Sequence, residues 1–389
     1  MTPGRWNMTE LGTTPKTHPA PGFEYSGVKA LFYEGPPWQG KATRIFAWMG
    51  MPEAPRGSTV PGIVLVHGGG ATALADWVRL WNERGYAAIS MDTCGCVPCW
   101  TQSPKYHPWP RHKHAGPPGW GGVDKLSWKR EDQWPYHATA AVILGHSLLR
   151  AQPGVDASRI GLTGISWGGW LTCLAASIDS RFRFAAPVYG CGFLDHPSAG
   201  LVNGAKSAAS WLDMWDPGNW LASARMPMLW ISGTNDFAFP LPSLQRSYRR
   251  ASGPRTLGVR VRMAHGHDVG EKPGELRAFA DSLAKTGQPL TGISSQDRNG
   301  KEASIAFAGP RPIVKAELNY TRATGHWTDR FWNTVPAKLD STTGRATAEI
   351  PPQTAVFYFN LFDSDGLAVS SEHVELKPDR EFKKRTGIA

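Results

Sequence analysis

The sequence predicts an α/β protein, a mostly parallel, doubly wound sheet followed by a small all-β unit, and three observations carry that expectation. Continuous apolar runs of strand length at residues 62–66, 86–91 and 227–231 alternate with helix-like segments, as expected of strands buried on both faces of a parallel sheet. The pentapeptide Gly164-Ile165-Ser166-Trp167-Gly168 lies between one apolar run and a segment of helical composition. From Thr291 onward the hydrophobic period falls to two, the mark of half-buried antiparallel strands.

At 389 residues the chain exceeds one ordinary core. We expect an N-terminal extension (1–27), an α/β domain (28–290) and an immunoglobulin-like β-sandwich with a C-terminal tail (291–389). Residues 28–33 and 42–48 read as an antiparallel lead-in hairpin around Gly35-Pro36-Pro37. The run at 62–66 leads into His67-Gly68-Gly69-Gly70, where three glycines leave backbone N–H groups open to close approach. A helix over 76–84 stops at Gly85, a residue suited to a helix C-terminus, and a strand over 86–91 follows. Residues 93–129 form a long stretch rich in Gly, Pro, His and Trp; a loop of that length in a compact domain reads as functional, here one wall of a pocket.

A helix over 136–152 and a turn at Pro153-Gly154 lead into the strand before Ser166. Further strands are expected at 184–189, 227–231 and 259–263, with an insertion at 192–224 and helices over 240–250 and 275–285. The alternation at 315–320 and 345–350 belongs to the sandwich, in which nothing carries catalytic chemistry.

Composition narrows the function classes. A hydrophobic fraction of 41% suffices for globular packing, no apolar run reaches the length of a membrane span, and the N-terminus lacks a signal-peptide core. The chain is expected to be soluble, with no membrane partner, in a secreted or periplasmic setting included if a leader has been cleaved. The net charge of +10 comes from scattered Lys and Arg apart from Lys383-Lys384-Arg385, with no nucleic-acid motif beside it, so no nucleic-acid partner is expected. Five cysteines give no disulfide framework. Cys94, Cys96 and Cys99 lack a second Cys/His pair at zinc spacing, and His107, His112 and His114 lack a carboxylate or Cys at ligand spacing. No metal and no cofactor is expected. Most of the 18 tryptophans are expected to pack in the core, while those in loops suit stacking on sugars or aromatic acyl groups.

Three features stand in chain order: Ser166 at a strand-to-helix turn, Asp236 after a later strand, and a histidine in His265-Gly266-His267 after the last one. A Ser hydroxyl is a weak nucleophile at neutral pH, so an imidazole must take its proton and a carboxylate must hold that imidazole. With a strand running to Met263, His265 stays at the sheet edge and His267, beyond the freedom of Gly266, has the longer reach. The expected base is His267, bonded to Asp236, with His265 as the alternative.

Residues 46–290 resemble the α/β-hydrolase superfamily, in particular the branch of acetyl xylan esterases, dienelactone hydrolases and prolyl-oligopeptidase-type hydrolases. The resemblance rests on His67-Gly68-Gly69-Gly70, Gly164-Ile165-Ser166-Trp167-Gly168-Gly169, Gly233-Thr234-Asn235-Asp236 with Pro240, and His265-Gly266-His267. It implies that Ser166 is the nucleophile and that the N–H groups of Trp167 and Gly69 form the oxyanion hole. The expected activity is that of a serine carboxylic ester hydrolase working through an acyl-enzyme, on a small acyl group carried by a carbohydrate. An aminopeptidase-like hydrolase would need an acidic pair for a peptide N-terminus, and no Glu-Glu pair occurs. A non-catalytic polysaccharide-binding protein would have no need of the Ser, Asp and His set. Oligomeric state is not legible.

Overall fold

The computed structural model describes residues 6–99, 109–120, 123–202 and 208–376. Its centre is a nine-stranded sheet in the order β1-β2-β3-β5-β4-β6-β7-β8-β9. The strands are β1 (Thr17–Tyr25), β2 (Val28–Trp38), β3 (Lys41–Gly50), β4 (Val60–Val66), β5 (Ala87–Met91), β6 (Val155–Ile165), β7 (Phe184–Val188), β8 (Met228–Gly233) and β9 (Arg255–Arg260). The first three pair antiparallel, and β3 joins β5 antiparallel. From β5 to β9 every pairing is parallel. All seven residues of β4 and all five of β5 are buried, which is why these strands read as unbroken apolar runs.

The N-terminal boundary needs correction. Residues 1–27 are not all outside the sheet, because β1 pairs with β2 and extends the hairpin expected at 28–48. Its two prolines and a glycine disguise it as a loop, but a strand on the sheet edge has no neighbour on one side to receive a missing N–H. Ahead of it the short helix α1 (Met8–Leu11) is capped by Asn7, whose side chain accepts from the Thr9 and Glu10 N–H groups.

Helices α2 (Ala75–Glu83), α3 (Trp134–Arg150) and α4 (Trp167–Ile178) follow β4, the long loop and β6. All twelve residues of α4 are buried, as are most of α3. Helices that are apolar all round in this way sit inside the domain. Next come α5 (Ala208–Trp215) in the insertion, α6 (Leu241–Arg250), a single turn α7 (His267–Gly270) and α8 (Gly274–Ala284). Among the described residues no helix is long and apolar enough to cross a membrane.

Beyond residue 290 the chain forms two antiparallel sheets. One contains β10 (Gly292–Asn299), β11 (Glu302–Ala308), β14 (Lys338–Asp340) and β15 (Arg345–Glu349); the other contains β12 (Ile313–Thr321), β13 (Asn333–Pro336), β16 (Val356–Asp363), β17 (Ala368–Ser370) and β18 (Val374–Glu375). The second sheet closes over β9, the last strand of the main sheet. There the Val259 N–H donates to Ser370 Oγ at 2.7 Å and the Asn360 side-chain amide donates to the Val259 carbonyl at 3.2 Å, so part of this edge is satisfied by side chains rather than by another strand. Buried Glu275 completes the seam, accepting from Arg260 at 2.7 Å and from the Ala368 N–H at 2.5 Å.

Several histidines are buried without a full set of partners. Burial pulls the His137 pKa down to about 4, and burial with the nearby Arg111 charge does the same for His112. Both values lie below the ordinary 6.5. Below pH 6.5 the unfolded chain therefore takes up protons that the folded chain refuses, and stability is lost as the pH falls toward 4. The urea midpoint should drop between pH 7 and pH 4.5, and His137→Gln should flatten that slope relative to its own value at pH 7. An unchanged slope would show that His137 does not titrate in this window.

Candidate active site

The strand β6 runs into α4 through a turn so tight that backbone packs directly on backbone. A Cβ on Gly164 would collide with the Gly168 carbonyl, one on Gly168 with the Val66 carbonyl, and one on Gly169 would lie 2.6 Å from the Val188 carbonyl. At the apex Ser166 has φ 59° and ψ −120°, a conformation costing a non-glycine residue on the order of 1–3 kcal/mol. Its N–H is tied to the Val188 carbonyl at 2.9 Å and its carbonyl accepts from the Trp170 N–H at 2.9 Å. The Ser166 side chain is thereby held half-exposed above the C-terminal ends of the parallel strands.

The structure brings together Ser166, Asp236 and His265. His265 Nδ1 lies 2.7 Å from Asp236 Oδ2, and His265 Nε2 lies 2.8 Å from Ser166 Oγ. The remaining Asp236 oxygen accepts the N–H groups of Ala238 at 2.9 Å and Phe239 at 2.8 Å. A fully buried carboxylate needs such donors, since an unpartnered charge there would cost several kcal/mol. The same contacts fix which oxygen faces the imidazole.

The expected placement of His267 is thus corrected. Strand β9 ends at Arg260, not at Met263, so His265 is five residues past the sheet and has room to fold back. Arg262, at φ 52°, makes the turn. His267 opens α7, where it packs edge-on to Trp77 at 4.6 Å and lies 3.4 Å from Glu271. Neither of those contacts is with Asp236 or Ser166.

The loop after β4 lies across the elbow. A Cβ on Gly68 would sit 3.2 Å from Ser166 Cβ, and one on Gly69 would sit 2.7 Å from Trp167 Cδ1, so only glycine permits this approach. Buried His67 braces the loop. Its Nε2 accepts the Thr93 N–H at 3.1 Å, which leaves the proton on Nδ1 to donate to the Gly68 carbonyl at 2.9 Å. Thr93 begins the long loop, and Asp92 before it accepts the N–H groups of Cys94 and Cys96 at 2.8 Å each. Burial pushes the Cys94 thiol up and the Cys96 thiol to about 12, so both are protonated at neutral pH. Nearby, Arg111 donates to the Cys94 and Gly116 carbonyls. His112 packs on Phe32 at 5.0 Å, and the His114 carbonyl accepts from the Arg44 N–H; His107 and residues 383–385 lie outside the described residues.

The tryptophans near the elbow pack on one another. Trp134, Trp167, Trp170 and Trp211 form a chain with ring centroids 5.5 to 5.6 Å apart from one to the next, all buried. The exposed aromatic ring beside the imidazole is Phe237, 52% exposed and 4.8 Å from His265. On another side Tyr189 stacks on His265 at 4.7 Å and donates its hydroxyl to the Ala264 carbonyl at 2.7 Å. Sequence reading missed Tyr189 and Phe237. Tyr189 had a signal, standing directly after an apolar strand; Phe237, following Asp236, had only its position.

With this geometry in hand, the chain has the fold of the α/β hydrolases. Residues 23–197 match the acetyl xylan esterase (AXE1) family. Among solved structures the chain is similar to the acetyl xylan esterase from Paenibacillus sp. R4, at 19% identity over 71% of this chain and 92% of that one, with a TM-score of 0.53. It is also similar to the uncomplexed Pyrococcus horikoshii acylaminoacyl peptidase, at 17% identity over 69% of this chain with a TM-score of 0.50. An acylaminoacyl peptidase in complex with Z-Gly-Gly-Phe-chloromethyl ketone gives 19% identity over 67% of this chain and the same TM-score. The match spans 44% and 42% of those two peptidases' own lengths. At such identities the likeness is one of fold. No curated protein sequence matches the chain.

Three substitutions test this arrangement. Gly168→Ala should lower stability by more than the roughly 1–3 kcal/mol typical of overpacking, because the obstacle is a sheet carbonyl and not a movable side chain; a melting temperature within a degree of the parent would contradict the packing. His265→Ala should slow modification of Ser166 by a fluorophosphonate by about a hundredfold or more, whereas His267→Ala should leave it within a few fold. The reverse order would restore His267 as the partner of Ser166.

Proposed function

We propose that the protein is a serine carboxylic ester hydrolase that removes a small acyl group from a carbohydrate through an acyl-enzyme. The observation that carries this reading is the unbroken series Asp236–His265–Ser166, with contacts of 2.7 and 2.8 Å, at a strained strand-to-helix turn. Ser166 Oγ attacks the ester carbonyl carbon while His265 Nε2 takes its proton. The imidazolium so formed is held by Asp236, whose buried carboxylate accepts from Nδ1. His265 then returns the proton to the departing alcohol oxygen, leaving Ser166 acylated. A water, deprotonated by the same nitrogen, attacks the acyl carbon; collapse of the second tetrahedral intermediate releases the acid and returns the proton to Ser166.

The oxyanion of each tetrahedral intermediate is assigned to the N–H groups of Trp167 and Gly69. The Trp167 N–H is in the first turn of α4, where N–H groups have no intrahelical acceptor and the helix dipole favours negative charge. The loop bearing Gly69 lies against the Trp167 ring. His67, braced between Thr93 and Gly68, keeps that loop in place.

The acyl and alcohol parts rest on the match of residues 23–197 to the acetyl xylan esterase family. Phe237 offers the sugar an apolar face beside the base, a role the sequence reading gave to tryptophans. We also assign the nine C-terminal strands among the described residues, in two antiparallel sheets, to an immunoglobulin-like sandwich that with a C-terminal tail makes up 291–389, following the hydrolase domain.

Activity on p-nitrophenyl esters should fall as the acyl chain lengthens beyond acetyl, acetylated xylan should release acetate, and an aminoacyl anilide should not turn over. Ser166→Ala should lower kcat by about 10³-fold or more with little change in melting temperature. Turnover of the anilide in preference to every ester would replace the esterase reading with a peptidase one, and a tenth of the parent activity in Ser166→Ala would remove Ser166 as the nucleophile.

A further inference from the structure

We propose that the C-terminal β region is a working part of the active site, and that Asn235 is the positioning residue through which it holds the acid and base loops; the inference rests on the Asp236–His265–Ser166 reading above. The Asn235 side-chain amide nitrogen faces three backbone carbonyls of the segment between β12 and β13, those of Thr328 at 2.8 Å, Arg330 at 2.7 Å and Trp327 at 3.4 Å. With two N–H groups to give, Asn235 satisfies the two nearer carbonyls well and the third weakly. The set of acceptors fixes the amide's orientation, since the flipped form would set an oxygen against three others.

From Asn235 the connection runs to both catalytic loops. Asp236 is the next residue. In the other direction the Thr234 hydroxyl donates to Asn235 Oδ1 at 2.7 Å and accepts the Arg262 N–H at 3.0 Å. Arg262 is the left-handed residue that turns the chain back toward His265. The Thr234 N–H also donates to the Arg260 carbonyl at 3.0 Å. The loop that carries Asp236 and the loop that carries His265 are thus clasped at Thr234, and the clasp is anchored by Asn235 to a segment about ninety residues further along the chain.

That segment is a firm anchor. Trp327 is buried, stands edge-on to His373 at 5.4 Å, and carries the Arg330 guanidinium over its ring at 3.8 Å. Arg330 also donates to the Gly325 carbonyl at 3.0 Å, which folds the segment on itself. A second contact from the same segment reaches the base loop, where the Arg262 guanidinium lies 4.8 Å over Phe331. Such an anchor matters because small misplacements of an acid–base pair cost rate steeply.

The test uses the full chain. Asn235→Ala and the near-isosteric Asn235→Asp, which removes both N–H donors, should each lower kcat on p-nitrophenyl acetate about tenfold or more while KM stays within about twofold, and should slow fluorophosphonate labelling of Ser166 by the same factor per folded molecule. In Asn235→Ala the acid limb of kcat/KM should also move to lower pH. A carboxylate less well aligned on Nδ1 supports the imidazolium less, so the base loses its proton more readily. Thr234→Val, which keeps Asn235 and cuts the clasp to Arg262, should shift the limb the same way, and serves if Asn235→Ala does not fold.

Wild-type labelling rate and an unmoved acid limb in a folded Asn235→Ala or Thr234→Val protein would overturn the proposal. So would a lowered melting temperature with unchanged labelling per folded molecule, which would make Asn235 a purely structural tie. Absence of labelling in the parent protein would remove the Ser166 reading itself, and the proposal with it, before any variant is compared.

Discussion

The structure depends on one constraint, the direct packing of backbone on backbone where β6 turns into α4. Gly164, Gly168 and Gly169 approach the carbonyls of Gly168, Val66 and Val188 too closely for any side chain, and this forces Ser166 into its strained conformation. A strain on the order of 1–3 kcal/mol is small beside the burial that opposes it. Trp170, Leu171, Leu174 and Ile178 on α4 are all buried, and each contributes about 1.5–3 kcal/mol. The balance favours the strained turn several-fold, so Ser166 is positioned by the core itself. The loop of glycines after β4 can reach Ser166 only because β4 and β6 are adjacent in the sheet.

Asp236 and His265 are held by a different kind of force. Asp236 is buried, and its charge is tolerable only because three groups meet it: two backbone N–H groups and the imidazole of His265. The turn over residues 236–239 therefore exists to make those donors available, and the carboxylate in turn holds the ring. Stacking of Tyr189 on His265 adds an orientation that the hydrogen bonds leave free. Tyr189 is itself fixed through its hydroxyl on the Ala264 carbonyl, next to the imidazole it supports.

These differences explain what could be read in the sequence. Close approach leaves a mark in composition, because only glycine permits it, so the elbow and the glycine loop were legible, as were the buried strands around them. The end of β9 was not. Residues 259–263 alternate apolar and basic as a strand would, and the sequence carries no sign that Arg262 takes a left-handed conformation; the histidine in contact with Asp236 was therefore placed two residues too far on. Strand β1 was hidden by prolines that an edge position tolerates. The tryptophans were legible as packing residues, but which aromatic would remain exposed beside the site was settled by the fold, and it is a phenylalanine.

The link between Asn235 and residues 327–330 lay beyond any local reading, since it joins segments about ninety residues apart and uses backbone carbonyls that every residue possesses. It nonetheless follows from the order of the sheet. The last parallel strand, β9, is an edge strand whose outer side must be satisfied, and the C-terminal sheet supplies Ser370 and Asn360 to do so. Once that sheet is seated on β9, its connecting segment lies across the ends of β8 and β9, where the loops of Asp236 and His265 emerge. Cover for an exposed strand edge and contact with those loops are therefore two consequences of one docking, which gives the C-terminal strands a place against the loops of Asp236 and His265.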